Sequence, residues 1–495
     1  MTARGVVAAG HPLTAEAGAR VLREGGNAVD AAVAAVITSF VTESPLTGMG
    51  AGGYMLIHTA PGTTVLDFFV AVPGAGGRER RSELVPIPVH FTEESTQVFN
   101  VGAASCGVPG VPSGLERALR GFGTVPLAEL AAPAARLARD GHRVNGEQAY
   151  FLAILEPILT HYEEAREVYA PGGNLLREGD TFRFEELGEG LERFGAEGAD
   201  PFYRGEIAAK ISDWVLERGG TLAPADLASY EPIPRDPVRA GFHGREVLTN
   251  PPPSSGGLLI AYALELLDRG GDGCPGTERV VEAMEAAQRA RTEEFLAGLH
   301  EPGFATRFLS GRLGSTTHIT AVDGEGRCAS VTCSNGTGSG LIVPGTGVHV
   351  NNMLGEQDLN PLGFHRHPAG RRIPSMMSPT IILGDGRLEA GLGSGGSNRI
   401  RSAILQTIVA LVCQGLDVAD AVVAPRVHFE QGAVQAEPGV DEGALRRLER
   451  GGYEVVRWPA RNLFFGGVQA VARDPRTGEL RGGGDPRRGG AVAIA

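Results

Sequence analysis

Gly314-Ser-Thr-Thr-His-Ile-Thr-Ala-Val-Asp323 is the stretch on which the fold turns. From Thr316 it alternates polar and apolar residues, Gly324-Glu-Gly326 turns, and Arg327–Ser334 alternates back, which predicts an antiparallel hairpin. Two threonines at the head of an alternating strand, far from either end of the chain, raise a chemical question. A threonine hydroxyl is a poor nucleophile unless a base takes its proton, and one solution uses the residue's own α-amine, freed by cutting the chain before it. That amine has a reference pKa of about 7.7–8.0, so it can accept and return a proton near neutrality. Thr316 or Thr317 is the candidate, and the ordinary alternative is a strand hydroxyl with no chemistry.

Working outward, Thr380–Leu383 and Leu388–Leu392 form a second hairpin around Asp385-Gly386. Gly391-Leu-Gly-Ser-Gly-Gly-Ser397 then leads into a helix whose apolar face is Ile400, Ile404, Ile408, Leu411 and Val412. Glycines before a helix N-terminus let backbone N–H groups approach a tetrahedral centre, so Gly395, Gly396 and Ser397 are candidates for an oxyanion hole. Strands are expected at about 464–473 and 490–494.

Towards the N-terminus, Thr14 is the expected cap of a short helix ending at Gly25-Gly26. Asn27 caps a second helix, with Asp30 in its first turn and Val29, Val33, Val36, Ile37 and Phe40 on one face. Small alanines on its other side predict a helix covered on both sides. Gly48, Gly50 and Gly53 spell G-x-G-x-x-G, but a helix precedes them and a strand follows. A dinucleotide fingerprint needs the reverse order, so these glycines read as a close-packed turn. Residues 75–100 read as irregular surface, and helices are expected at about 115–121, 127–138 and 258–268. Helices flanking antiparallel strands, with no long linker, suggest a layered α/β sandwich.

The 495 residues carry a net charge of −13, which removes the electrostatic attraction that nucleic-acid binding needs. No run of about 18 uncharged apolar residues is present and no signal peptide is evident, so a cytoplasmic protein without membrane segments is expected. The five cysteines, odd in number and scattered, are expected to be reduced thiols. His318, His365 and His367 lack the carboxylate spacing of a closed metal site, so neither metal nor cofactor is implied.

Taken together, GGNAVDAAVA (25–34), the glycine turn at 48–53, LDF (66–68), PSG (112–114), PPPSSGG (251–257), TTHITAVD (316–323), VNNM (350–353), SMMSPT (375–380) and GSGGSNRI (393–400) resemble the gamma-glutamyltransferase (gamma-glutamyl transpeptidase) family of N-terminal nucleophile hydrolases. The resemblance implies a four-layer αββα sandwich. It also implies a precursor cut between Ser315 and Thr316 into segments 1–315 and 316–495, which stay together as one folded domain. Thr316 would then form an acyl-enzyme that water or an acceptor amine resolves.

By the same resemblance Ser334 hydrogen-bonds the nucleophile, and Asn335 and Glu356 hold the substrate ammonium, with Asp358 a rival to Glu356. Ser375 is the first of a carboxylate-binding serine pair whose second member is here Met376. The oxyanion donors fall on Gly396 and Ser397, or on Gly395 and Gly396 if the register is one earlier. Where the family has a carboxylate-binding arginine after Asp-Phe, this chain has Phe69. A charge-assisted hydrogen bond of that kind is worth about 1.5–3 kcal/mol, and Arg371, Arg372 and Arg399 are the replacements considered. Three functions follow as expectations: hydrolysis or transfer of gamma-glutamyl amides such as glutathione, acylase activity on a non-glutamyl amide in which Phe69 and Met376 give apolar contact, or an inactive binding protein.

Overall fold

In the computed structural model, residues 4–60, 62–77, 79–90, 96–269, 271, 273–301, 304, 318–360 and 363–495 are described. The expected hairpin forms, as strands His318–Asp323 and Cys328–Ser334. Around it grows a seven-stranded sheet in the order 491–494, 5–9, 318–323, 328–334, 52–59, 62–68 and 233–235. A second sheet of six strands runs 480–484, 467–473, 387–395, 380–384, 245–249 and 238–242. Neighbours in both sheets are antiparallel. Both sheets draw strands from either side of residue 316.

The strand period of two sorts residues between two cores. Val7, Met55, Ile57, Ile319 and Ala321 point outward to helices Pro12–Arg23 and Ala28–Thr42. Their neighbours Val6, Ala8, Tyr54, Leu56 and Val322 face the other sheet and meet Ile381, Leu383, Leu388 and Val471. The opposite face of the second sheet, with Ile382, Leu392, Val468 and Ala470, is covered by helices that include Gly256–Asp268 and Ile400–Ile408. The result is four layers, helix, sheet, sheet and helix. Every residue of Ala28–Thr42 is buried, as the alanine pattern required, and Asn27 and Asp30 form the reciprocal cap.

Several local expectations need correction. The first helix begins at Pro12 and is capped by His11, whose Nδ1 accepts from the Leu13 N–H at 3.1 Å, while Thr14 is inside it. Residues 75–100 are not all irregular, because Val85–His90 pairs with Thr96–Val101. The strand expected from 464 starts at Gly467, after a 3-10 turn over Leu463–Phe465. Leu480–Gly484, too glycine-rich to read as a strand, is one. Cys274 and Cys413 form a disulfide, so the reading of five reduced thiols holds only for the buried Cys106, Cys328 and Cys333. Among the described residues no helix is long and apolar enough to cross a membrane.

Candidate active site

Ser315, Thr316 and Thr317 lie outside the described residues. The strand that follows them is pinned at its first described residue. His318 Nδ1 and Nε2 are 2.9 and 2.7 Å from the Thr332 and Thr320 hydroxyls, and Ser330 Oγ is 3.2 Å from Nε2. Thr320 and Ser330 in turn donate across to the Gln469 and Leu392 carbonyls of the second sheet, at 3.1 and 3.3 Å. A side chain at Gly393 would come within 2.4 Å of the His318 ring, so glycine is what lets the two sheets close here.

Burial pushes the His318 pKa down to about 3, and the ring stays neutral. Below the unfolded value of about 6.5 the unfolded chain binds a proton that the native site refuses, so this contribution to stability is lost as pH falls from 6.5 towards 3. Denaturant titrations at pH 7 and pH 5 should show a smaller loss of stability in His318→Asn than in the wild type.

Beside the strand ends lies a cleft whose lining includes Ser334, Glu356, Asp358, Gly396 and Ser397. Ser334 ends its strand, and its hydroxyl accepts from the Gly336 N–H at 2.8 Å. Glu356 follows the 3-10 turn Met353–Gly355. Burial, and then the Asp358 charge, raise its pKa to about 7, so near neutrality it is poised between its two forms. Asp358 accepts a hydrogen bond from the Ser397 hydroxyl.

The glycine loop ends the strand Arg387–Gly395, and Gly396 (φ 127) and Ser397 (φ 50) turn the chain into the 3-10 turn Ser397–Arg399 and the helix beyond. A Cβ on Gly396 would sit 2.8 Å from the Gly466 Cα, so both its conformation and its surroundings demand glycine. The first N–H groups of a helical segment have no acceptor one turn back. Those of Gly396 and Ser397 are therefore suited to a developing oxyanion, whereas Gly395 is still paired in the strand with Gly467.

Other candidates are placed differently. Asn335 is buried, its amide oxygen and nitrogen both without a partner among the described residues, and Nδ2 is directed towards Gly48. Ser375 is buried outside the cleft lining, its hydroxyl accepting from the Met377 N–H at 3.0 Å. Phe69 is fully buried between the sheets, stacked on Tyr54 with ring centroids 5.5 Å apart, and Met376 shares that core. Neither lines the cleft, so apolar contact with a substrate there is not what these two side chains provide.

Arg372 is also held elsewhere, over the Tyr230 ring at 4.1 Å and 3.5 Å from Asp67. Arg399 does line the cleft, together with Arg488, a residue that nothing in the sequence set apart. Among the described residues no group of three or more His, Cys, Asp or Glu could hold a metal.

A four-layer αββα sandwich, with a threonine in the sequence just ahead of a central strand and a glycine turn at the end of a strand in the facing sheet, defines an N-terminal nucleophile hydrolase. The family model for gamma-glutamyltranspeptidase matches residues 14–306 and 305–495. The glutathione hydrolase proenzyme of Escherichia coli is 31% identical, over 98% of this chain and 90% of that protein. The acylase ACY 1 proenzyme of Pseudomonas sp. strain SE83 is 32% identical, over 99% of this chain and 94% of that protein. The crystal structure of cephalosporin acylase from Bacillus halodurans superposes with a TM-score of 0.85 at 26% identity, covering 99% of this chain and 96% of that one. The chain belongs to the gamma-glutamyltranspeptidase family, as a hydrolase/transferase proenzyme.

Proposed function

We propose that the chain cuts itself between Ser315 and Thr316 and then acts as a threonine amidohydrolase on gamma-glutamyl amides. The observation that carries this reading is the cleft that gathers Ser334, Glu356, Asp358 and the Gly396–Ser397 turn, where Ser334 ends the strand paired with His318–Asp323, the strand that follows Thr316 in the sequence. In the maturation step the Thr316 hydroxyl attacks the Ser315 carbonyl, the C–N bond breaks as the acyl group moves to oxygen, and water hydrolyses the resulting ester. This frees the Thr316 amine and leaves segments 1–315 and 316–495.

In turnover that amine takes the hydroxyl proton as oxygen attacks the substrate carbonyl, and the Gly396 and Ser397 N–H groups hold the oxyanion. The proton passes to the departing amine, and water, or an acceptor amine, then releases the acyl group. Hydrolysis is the favoured outcome. Ser334 orients the nucleophile, and Glu356 meets the substrate ammonium, with Asp358 beside it and Asn335 behind.

A second reading, an acylase for a non-glutamyl amide, is favoured by Phe69 standing where the family's carboxylate-binding arginine would be and by the similarity to named acylases. The two separate on a chromogenic pair, gamma-glutamyl against glutaryl anilide, which differ only in the ammonium.

Because Glu356 titrates at about 7, KM for the gamma-glutamyl substrate should fall as pH rises from 6 to 8 while that for the glutaryl substrate does not follow it. Glu356→Gln should flatten the first profile. Equal KM values for both substrates at every pH, with processing intact, would favour the acylase reading.

A further inference from the structure

Two arginines, Arg399 and Arg488, line the cleft next to the oxyanion turn, and they are its only cationic lining residues among those described. Neither forms an ion pair among the described residues. Arg399 is held by neutral groups: Nε donates to the Phe464 carbonyl at 3.2 Å, and the guanidinium lies over the Phe464 ring at 4.6 Å. Arg488 lies 5.6 Å from the Phe151 ring, its Nε is buried without a partner among the described residues, and one terminal nitrogen is 3.4 Å from where a Gly396 side chain would begin. Burial, and after it repulsion from Arg399, lowers the pKa of Arg488 to about 10, which leaves it charged at neutral pH.

The carboxylates around these arginines all have other partners as well. Asp485 is bound by Arg426 at 2.7 Å and by Arg487 at 3.1 Å. Glu430 accepts from Asn398 at 2.7 Å and lies 3.4 Å from His428, and despite burial its carboxyl is held below the usual range by His428 and then by the Arg399 and Arg401 charges, so it acts on Arg399 without pairing with it. Asp358 is engaged by the Ser397 hydroxyl. Glu43 is 3.4 Å from the Thr14 hydroxyl, and burial raises its pKa to about 7, so it is only partly charged at neutrality. The stretch 305–317, which carries the scission point, contains no acidic residue. Two neighbouring cations at the wall of a cavity, with no ion pair among the described residues, are costly to maintain, and an anion bound between them relieves that cost.

We infer that Arg399 and Arg488 form the anion site of this cleft and bind the carboxylate of an acidic amide substrate, a role that the buried Phe69 cannot perform. This rests on the amidohydrolase reading and deepens it. A planar guanidinium offers paired donors to a carboxylate, and Arg488 so close to Gly396 places that carboxylate a short distance from the scissile carbonyl. The substrate class is then an amide whose acyl part ends in a carboxylate, gamma-glutamyl and glutaryl amides alike. Glu356 at the same cleft decides between them by the presence of an ammonium.

The test uses glutarate as a probe that needs no turnover, titrated calorimetrically into the processed wild type and into Arg399→Ala, Arg488→Ala and the charge-keeping Arg399→Lys and Arg488→Lys. Losing a charge-assisted bond should weaken binding about tenfold or more in each alanine variant. The lysine variants should recover part of it, and the wild-type affinity should fall with added salt. If an alanine variant fails to fold, its lysine counterpart and the salt dependence of the wild type carry the same comparison. No glutarate binding by the processed wild type, or one affinity shared by all five proteins, would overturn the assignment. A wild type that is never processed would instead overturn the amidohydrolase reading, since glutarate binding does not depend on the amine of Thr316.

Discussion

Thr316→Ala is expected to run as a single 495-residue chain on a denaturing gel and to release no product from any amide that the wild type cleaves. One atom accounts for both losses. The threonine oxygen is the group that attacks the Ser315 carbonyl during maturation and the group that carries the acyl chain in turnover, and an alanine methyl can do neither. Removing the nucleophile of an acyl-transfer enzyme typically leaves only what substrate binding and the oxyanion site supply, so turnover should drop on the order of 10⁴-fold or more. Thr316→Ser, which keeps a hydroxyl, should still be processed, more slowly. If Thr316→Ala were cut normally, the nucleophile would have to be Thr317, and the hydroxyl and amine assigned here to one residue would belong to the next.

The second large effect lies in a buried ionic cluster behind the oxyanion turn. Asp485 is wholly buried between Arg426 and Arg487, and Glu437 takes the far side of Arg487 at 2.5 Å. The same Asp485 carboxylate accepts the Val468 N–H at 2.9 Å, while Arg426 donates to the Phe465 carbonyl at 3.1 Å. These contacts fix the chain on either side of Gly466, against which Gly396 packs. Two cations and two anions balance, and the arginines hold the Asp485 carboxyl below its usual range despite burial.

Asp485→Ala leaves a buried guanidinium uncompensated. Breaking one partner of such a pair costs about 3–5 kcal/mol, which should appear as a lower urea midpoint at unchanged slope. Asp485→Asn, which keeps an acceptor for Val468, should cost less. Because the depressed pKa belongs to a carboxylate, the stability it provides is full above its unfolded value of about 3.9 and is lost as pH falls below that. A wild-type midpoint in Asp485→Ala would mean that the cluster contributes little.

Much of the sandwich was legible because its signals are local. Alternation in Thr316–Asp323 and Arg327–Ser334, the turn at Asp385-Gly386 and the Asn27/Asp30 cap each follow from a few consecutive residues, and each fixes an element of the observed fold. The hairpin of 85–101 escaped because Pro86 and Pro88 argue against a strand, although only the partner side of a two-stranded ribbon needs donors. Leu480–Gly484 escaped because three glycines give no alternation, and they are tolerated because Val492, Val422 and Ala491 come so close that side chains there would clash. The Cys274–Cys413 bond joins residues far apart in sequence, a pairing that spacing cannot reveal.

The candidate site divides in the same way. The glycine loop could be found from its own neighbourhood and Ser334 from its place in the family's motif, and the structure gathers them with Glu356 and Asp358 in one cleft. Phe69 and Ser375 were found by position in a motif, and position alone does not tell which way a side chain points. Arg488 sits in Asp485-Pro-Arg-Arg-Gly489 directly after Arg487, and only tertiary structure shows that one arginine closes an ionic cluster while its neighbour opens into the cleft.

The whole account stands on a chain break that creates its own base. N-terminal sequencing and intact-mass analysis of catalytically competent protein test it most directly. The expected result is two chains, one ending at Ser315 and the other beginning with Thr316. A preparation that hydrolyses amides at full rate as one unbroken polypeptide would contradict it.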